Sequence, residues 1–120
     1  MSIPDRRLAR LEGSRAVENP PGIFRTALAW NAESMLCHFR MSPGARIPLH
    51  HHRAAQNGYV VTGLVRFERG SGETFEARAG TGYCFGPDEP HGAEVLEESE
   101  VIECFAPMRP EYAEVQADGQ

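Results

Sequence analysis

Three of the five histidines, His50, His52 and His91, could support metal chemistry, and His51 stands between the first two in sequence. Alternate residues of an extended strand face the same side, so His50 and His52 can bind one ion together while His51 faces away. Gln56 can return to that side if the intervening turn allows. A third imidazole must come from elsewhere, and His91 follows a proline-bounded turn that would present it at a strand start. This spacing permits a metal site; a solvated polar loop is the alternative.

A second group of candidate residues lies near the C-terminus. On strand periodicity, Glu103 and Phe105 share one face and Cys104 points to the other. An acid on an inward face is costly unless it is paired or used. Arg109 is the only arginine after Arg78. These residues could move a proton and bind an anion; the alternative is that Glu103 lies at an exposed rim and Arg109 is a surface or dimer contact.

Length and composition limit the class of protein. The chain has 120 residues, which predicts one domain. Its net charge of −5, with no lysine, argues against a surface that binds nucleic acid or an anionic membrane. The N-terminus has no apolar segment of the secretory type, and no stretch approaches the ~20 apolar residues of a membrane span. Three cysteines without a close pair indicate small buried residues in a reducing compartment. We therefore expect a cytoplasmic protein.

The elements that must position these side chains are short strands. Twelve glycines and nine prolines interrupt brief apolar runs, a pattern typical of a sandwich or barrel. In one of these strands Met35, Cys37, Phe39 and Met41 alternate with more polar residues and should face the core. The predicted strands are Ile23–Ala29, Ser34–Met41, Tyr59–Thr62, Leu64–Arg69, Glu73–Ala77, Tyr83–Phe85, Gly92–Leu96 and Val101–Phe105.

The two ends of the chain differ from its middle. Residues 1–22 are predicted to be an N-terminal arm, 23–112 a barrel and 113–120 a loose polar tail. Leu8 and Leu11 could form one or two helical turns in the arm. We expect the arm to add to the barrel edge or to a partner, and a homodimer would cover an open edge strand.

Two motifs together resemble those of the cupin superfamily. The stretch from Gly44 to Gly63 has the form G-x5-H-x-H-x3-Q-x6-G, and the stretch from Gly80 to His91 has the form G-x6-P-x2-P-H. The resemblance spans residues 34–106. It implies an all-β, RmlC-like jelly-roll barrel, the double-stranded β-helix, with one divalent ion bound inside. The ion would be zinc, nickel, iron or manganese, and the implied ligands are His50, His52, Gln56 and His91.

Gln56 stands where cupins usually have a glutamate. With four neutral ligands the ion keeps its full 2+ charge, which strengthens it as a Lewis acid and favours an anionic substrate.

The C-terminal segment resembles that of the small cupins of pectin and alginate degradation. Their acid-x-Phe-x-Pro-x-Arg-x-acid-aromatic ending matches residues 103–112, Gln-x2-Tyr-Val-x2-Gly matches 56–63, and Gly-Ile-x-Arg matches 22–25. Such proteins convert a 4,5-unsaturated uronate into its linear 5-keto-4-deoxy form. The resemblance implies that Glu103, in place of an aspartate, is the acid and base. It further implies that Arg109 binds the carboxylate and that Phe105 and Tyr59 contact the sugar.

Other functions fit the same residues. A quercetinase-like cupin dioxygenase would need a redox-active ion, an open position for O2 and an apolar pocket, which Met35, Phe39, Met41, Phe85 and Phe105 could supply. A non-catalytic cupin that binds a small ligand would need only the pocket. Another lyase or isomerase of small anions is a third alternative. Metal identity and oxygen uptake separate the dioxygenase from the uronate enzyme.

Overall fold

The computed structural model describes residues 3–118, so the first two residues of the predicted arm and the last two of the predicted tail lie outside the described residues. Antiparallel strands dominate, and one short helix follows them. The strands are β1 (Val17–Glu18), β2 (Ile23–Asn31), β3 (Ser34–Met41), β4 (Arg46–His50), β5 (Ala55–Arg69), β6 (Thr74–Arg78), β7 (Gly82–Phe85) and β8 (His91–Ala106), and the helix is α1 (Pro110–Asp118).

Two long strands, β5 and β8, pair with each other and run through both layers of a barrel. The later part of β8 pairs with β3, and the early part of β5 pairs with β7. The early part of β8 pairs with β4, and the later part of β5 pairs with β6. The two layers face each other across the core, since the Phe67 and Tyr83 rings lie 4.4 Å apart between centroids. The predicted jelly-roll barrel is confirmed.

Each of these long strands was predicted as two separate strands, and that prediction is wrong in one respect. The chain bends at Gly63 and Ser99 but stays paired, with register shifts from Val60 to Val65. Gly63 has a φ of +98°, which L-residues rarely adopt. Ser99 is 1% exposed, and its hydroxyl accepts from the Leu64 amide at 3.0 Å. A glycine that the sequence pattern places at the end of a strand here lies in a β-bulge within one continuous strand.

Gly63→Ala is expected to destabilise the barrel by at least about 3 kcal/mol, because backbone strain adds to overlap in a packed interior. A Cβ at residue 63 would overlap Ser99 and the Glu98 carbonyl. Gly72 has a similar φ of +91° but open space around it, so Gly72→Ala should cost only about 1 kcal/mol. Denaturant unfolding of both variants measures the difference. Equal losses would contradict the packing argument.

The core lies between the two layers and follows the predicted alternation of β3. Its inward residues are at most 5% exposed: Met35, Cys37, Phe39 and Met41. His38 is on the opposite face and is also buried. Its Nε2 lies 2.6 Å from Glu100 Oε2 on β8, and this contact satisfies the buried ring nitrogen. Cys84 and Cys104 are exposed, so the expectation of three buried cysteines holds only for Cys37.

Both chain ends pack on the barrel. The predicted addition of the arm to the barrel edge is confirmed, whereas the helical tail was not predicted. From residue 3 onward the arm contains no helix; it is mostly extended with one turn at Leu11–Ser14, its Arg6 pairs with Trp30, and β1 adds to the edge of β2. The tail is part of helix α1 as far as residue 118. Within the described residues, no helix is long and apolar enough to cross a membrane. Gln116 is fully buried, accepts from the Ala27 amide and donates to the Arg15 carbonyl. These hydrogen bonds fix the helix to β2 and the arm.

Candidate functional site

The three histidines predicted as ligands converge inside one end of the barrel. His50 ends β4 and His91 begins β8, and the antiparallel register pairs these two residues directly. His52 comes from the connection between β4 and β5. One ring nitrogen from each of the three lies within 4.8 Å of the others. His51 points away, with its Nδ1 3.6 Å from Asp88 Oδ1, as the strand alternation predicts.

The three imidazoles all use the same nitrogen to hold their orientation. Their Nδ1 atoms lie 2.9, 2.8 and 2.8 Å from the backbone carbonyls of Pro48, Ala54 and Glu89 respectively. A carbonyl only accepts, so each Nδ1 carries the proton and each Nε2 carries a lone pair. The Nε2 of His91 is buried and has no hydrogen-bond partner among residues 3–118. This is the tautomer and orientation of metal-binding histidines.

Burial keeps two of these rings, His52 and His91, neutral. Burial, reinforced by the neighbouring imidazoles, lowers the pKa of His91 to about 4. Burial and then the charge of Arg109 lower the pKa of His52. The ring of Phe85 stacks on His91 at 4.5 Å between centroids and contributes to that burial. A neutral imidazole is the form that binds a metal ion, so no proton has to be removed near neutral pH.

Gln56 provides the fourth candidate metal ligand. Its Nε2 donates to Glu103 Oε2 at 2.7 Å, which turns its Oε1 toward the histidines. That Oε1 lies 3.0 Å from His52 Nε2. Both atoms are acceptors when the His52 proton is on Nδ1, and two acceptors at this distance are satisfied by a shared cation. Three imidazole lone pairs and one amide oxygen therefore fit a divalent ion such as zinc, nickel, iron or manganese.

Glu103 is a buried carboxylate beside this donor set. It is 5% exposed, and burial raises its pKa, although its two hydrogen bonds oppose the shift. Both bonds reach Oε2: one from Gln56 and one from the Tyr83 hydroxyl at 2.5 Å. Glu103 faces inward because it shares the phase of Phe105 and Val101 on β8. The other oxygen, Oε1, is left to meet a ligand.

A single cavity joins these groups to the C-terminal residues. Its polar lining includes His50, Gln56, His91, Glu103, Arg109 and Tyr112, and its apolar lining includes Phe39, Met41, Phe67 and Phe105. Arg109 donates to the Tyr112 hydroxyl at 2.6 Å, and its guanidinium carbon lies 5.3 Å from the Phe105 ring centroid. A positively charged wall and a carboxylate thus meet beside the histidines.

The structure leaves one predicted ligand contact out of the cavity. It adds Tyr112 to the cavity wall and Tyr83 as a hydrogen-bond partner of Glu103. Tyr59 is 49% exposed on the outer face of β5, because Gln56 and Val60 take the inward phase of that strand. Tyr83 and Tyr112 were not predicted as site residues. The sequence contains one weak indication of Tyr83: the residue opposite it, residue 58, is a glycine, and a Cβ there would overlap the tyrosine ring.

Comparison with known proteins agrees with this geometry. The cupin domain family matches residues 37–105. An RmlC-like cupin from Shewanella frigidimarina NCIMB 400 superposes with a TM-score of 0.81 at 27% identity, over 88% of this chain and 94% of that one. KdgF from Halomonas sp. superposes with a TM-score of 0.80 at 29% identity, over 87% of this chain and 97% of that one.

A more distant enzyme shares the fold alone. The polyketide cyclase RemF from Streptomyces resistomycificus has a TM-score of 0.70 at 21% identity, over 84% of this chain and 78% of that one. Comparison with curated protein sequences gives no significant match. The family match covers more than half of the 120 residues and includes both histidine motifs, and on that basis the chain belongs to the cupin family.

Proposed function

We propose that this cupin is a metal-dependent enzyme that opens the ring of a 4,5-unsaturated uronate and yields the linear 5-keto-4-deoxy form. The observation that carries the proposal is a cavity lined by His50, His91 and Gln56 beside the buried carboxylate of Glu103, with Arg109 on the same wall and His52 completing the histidine cluster. The resemblance of residues 103–112 to the ending of the uronate-linearising cupins supports the same reaction.

The reaction is an isomerisation, so each proton that leaves the sugar is replaced. The C1 hydroxyl loses its proton, the bond between C1 and the ring oxygen breaks, and the ring oxygen gains a proton. The C5 enol formed in this way becomes a ketone when its hydroxyl loses a proton and C4 gains one. Glu103 takes and returns these protons, a task that one positioned carboxyl group can perform in both directions.

The hydrogen bonds around Glu103 suit this role. Gln56 and Tyr83 both bind Oε2, so the carboxylate is held in one orientation while Oε1 stays available to the sugar. A catalytic group held in place avoids the entropy cost of being oriented during the reaction.

Arg109 and the ion account for the choice of an anion. The Arg109 side chain is only 14% exposed and lies in the cavity wall, where its planar guanidinium matches a carboxylate. Phe105 offers an apolar face beside it. His50, His52, His91 and the Gln56 oxygen would hold the divalent ion, which would supply a Lewis acid to the site.

Loss of ultraviolet absorbance provides the test. The conjugated double bond of a 4,5-unsaturated uronate absorbs in the ultraviolet and disappears in the linear ketone. Purified, metal-loaded protein is expected to accelerate this loss with a galacturonate- or alginate-derived monomer and to consume no oxygen, because the reaction has no redox step. Chelated protein is the control. No acceleration with either monomer would reject the proposal.

The apolar half of the cavity favours a second candidate, a cupin dioxygenase. Phe39, Met41 and Phe67 would contact a small aromatic ring. Oxygen consumption with a flavonol or another small phenol would favour the dioxygenase over the uronate enzyme. Saturable binding of a small molecule without turnover would instead identify a binding protein.

A further inference from the structure

Arg25 is a buried cation without a counter-ion. It shares the inward face of β2 with Ile23 and Ala27 and is 4% exposed. Among residues 3–117 its buried Nε has no hydrogen-bond partner, and no carboxylate forms an ion pair with it. A buried charge without a partner is strongly unfavourable, so proteins rarely keep one that has no use.

The guanidinium of Arg25 is held by one aromatic ring that also holds Arg109. The Arg25 guanidinium carbon lies 3.6 Å from the Tyr112 ring centroid, and that of Arg109 lies 4.0 Å from the same centroid. Tyr112 lines the cavity together with Arg109, whereas Arg25 lies behind it. The attraction of a cation to an aromatic face fixes both guanidinium groups relative to the ring. Arg25 thus sets the position of a cavity wall that it does not itself form.

The charges around this stack do not balance. Glu103 is the one acidic residue among the buried polar residues in the described part of the chain, and its carboxylate binds Gln56 and Tyr83. Arg109 has an ion pair with Glu111 at 3.5 Å, but that carboxylate is largely exposed and its attraction is screened. Arg109 in the cavity wall and Arg25 behind Tyr112 therefore form no buried ion pair with the acidic side chains of residues 3–117. An anion bound in the cavity would be their counter-ion.

We propose that Arg25 is a positioning residue that makes the cavity select an anionic ligand. It holds the Tyr112 ring, and through it Arg109, in the orientation that receives a carboxylate, and its own charge raises the potential in the cavity. The inference rests on the proposed function where it takes the anion to be a uronate carboxylate.

Equilibrium binding to matched probes tests this role without turnover. One pair is D-galacturonate and its methyl ester, and the other is acetate and acetamide; each pair differs by one negative charge. Arg25→Met removes the charge but keeps a buried side chain of similar length, and Arg25→Lys keeps the charge. Binding is measured by calorimetry or nuclear magnetic resonance titration at low ionic strength, with metal content and melting temperature recorded for each variant.

Arg25→Met is expected to weaken binding of the anion about tenfold, the effect of a unit charge roughly 10 Å away at an effective dielectric constant of about 20. Binding of the neutral member of each pair should not change, and Arg25→Lys should restore part of the anion affinity. The melting temperature of Arg25→Met should equal or exceed that of the parent, because an unpaired buried charge has been removed.

Several outcomes would overturn the inference. Unchanged anion binding in Arg25→Met would do so, as would an equal loss for the charged and neutral probes. A parent protein that binds neither anion better than its neutral counterpart would also refute it. The parent protein could prefer acetate to acetamide yet bind galacturonate no better than its methyl ester. That result would reject the uronate proposal, and acetate binding by the two variants would then decide the role of Arg25.

Discussion

His91→Ala is expected to remove nearly all bound divalent metal. The Nε2 of His91 is buried, and no group of the described residues hydrogen-bonds to it, so its lone pair is available to the ion. Its loss leaves two imidazoles and one amide oxygen, and the affinity should fall by more than the about 10–100-fold that loss of an outer hydrogen-bond partner costs. Elemental analysis after dialysis against a metal-containing buffer measures the effect.

His51→Ala provides the matched control for this loss. His51 neighbours two of the candidate ligands in sequence, but it is exposed and contacts Asp88 instead. Its removal should leave the metal content unchanged. Added metal should raise the melting temperature of the parent and of His51→Ala, because the ion binds the folded state, and should have little effect on His91→Ala. Equal metal content in the two variants would refute the site.

Glu103→Gln is expected to reduce the rate of uronate conversion by ~10²–10⁴-fold, the usual cost of a lost general acid and base. The amide has the size of the carboxylate but cannot accept and return a proton. Because Glu103 is not a candidate ligand, metal content should stay within the range of the parent. The ultraviolet assay and elemental analysis on the same preparation separate these two effects.

An exposed acid on the same strand controls for a general loss of charge. Glu98 is exposed on β8, so Glu98→Gln should keep the activity of the parent. A Glu103→Gln variant that keeps full activity would exclude the carboxylate as the acid and base. One that loses metal together with activity would instead place Glu103 among the groups that hold the ion.

Local patterns in the sequence predicted short strands and the side chains that face inward, and the resemblance to the cupin motifs predicted the jelly-roll barrel and the candidate ligands. Alternation along β3 and β8 reports which side chains point inward, because a strand has a period of two whatever it pairs with. The inward phase of Glu103 and the outward phase of Cys104 follow from this alone. The separation of His51 from His50 and His52 follows from the same alternation.

Misleading local signals account for the errors. Gly63 looks like the end of a strand, but its partner Ser99 lies 36 positions away, and the bulge exists only when both are paired. Residues 113–118 look polar and loose, but Gln116 finds its hydrogen-bond partners on β2 and in the arm. Tyr59 lies within a motif that suggests a ligand contact, whereas the phase of β5 turns it outward.

Sequence alone therefore determined the fold class, the histidines and Gln56 as candidate ligands, and the inward acid on the last strand. Only the tertiary structure decided what those groups contact. The amide of Gln56 meets Glu103 because β5 and β8 pair in one register, and Tyr83 reaches the same carboxylate from β7. Arg25 and Arg109 share Tyr112 because α1 returns to β2. Partners of this kind lie tens of residues apart, and their distances depend on register and packing, which short-range periodicity does not encode.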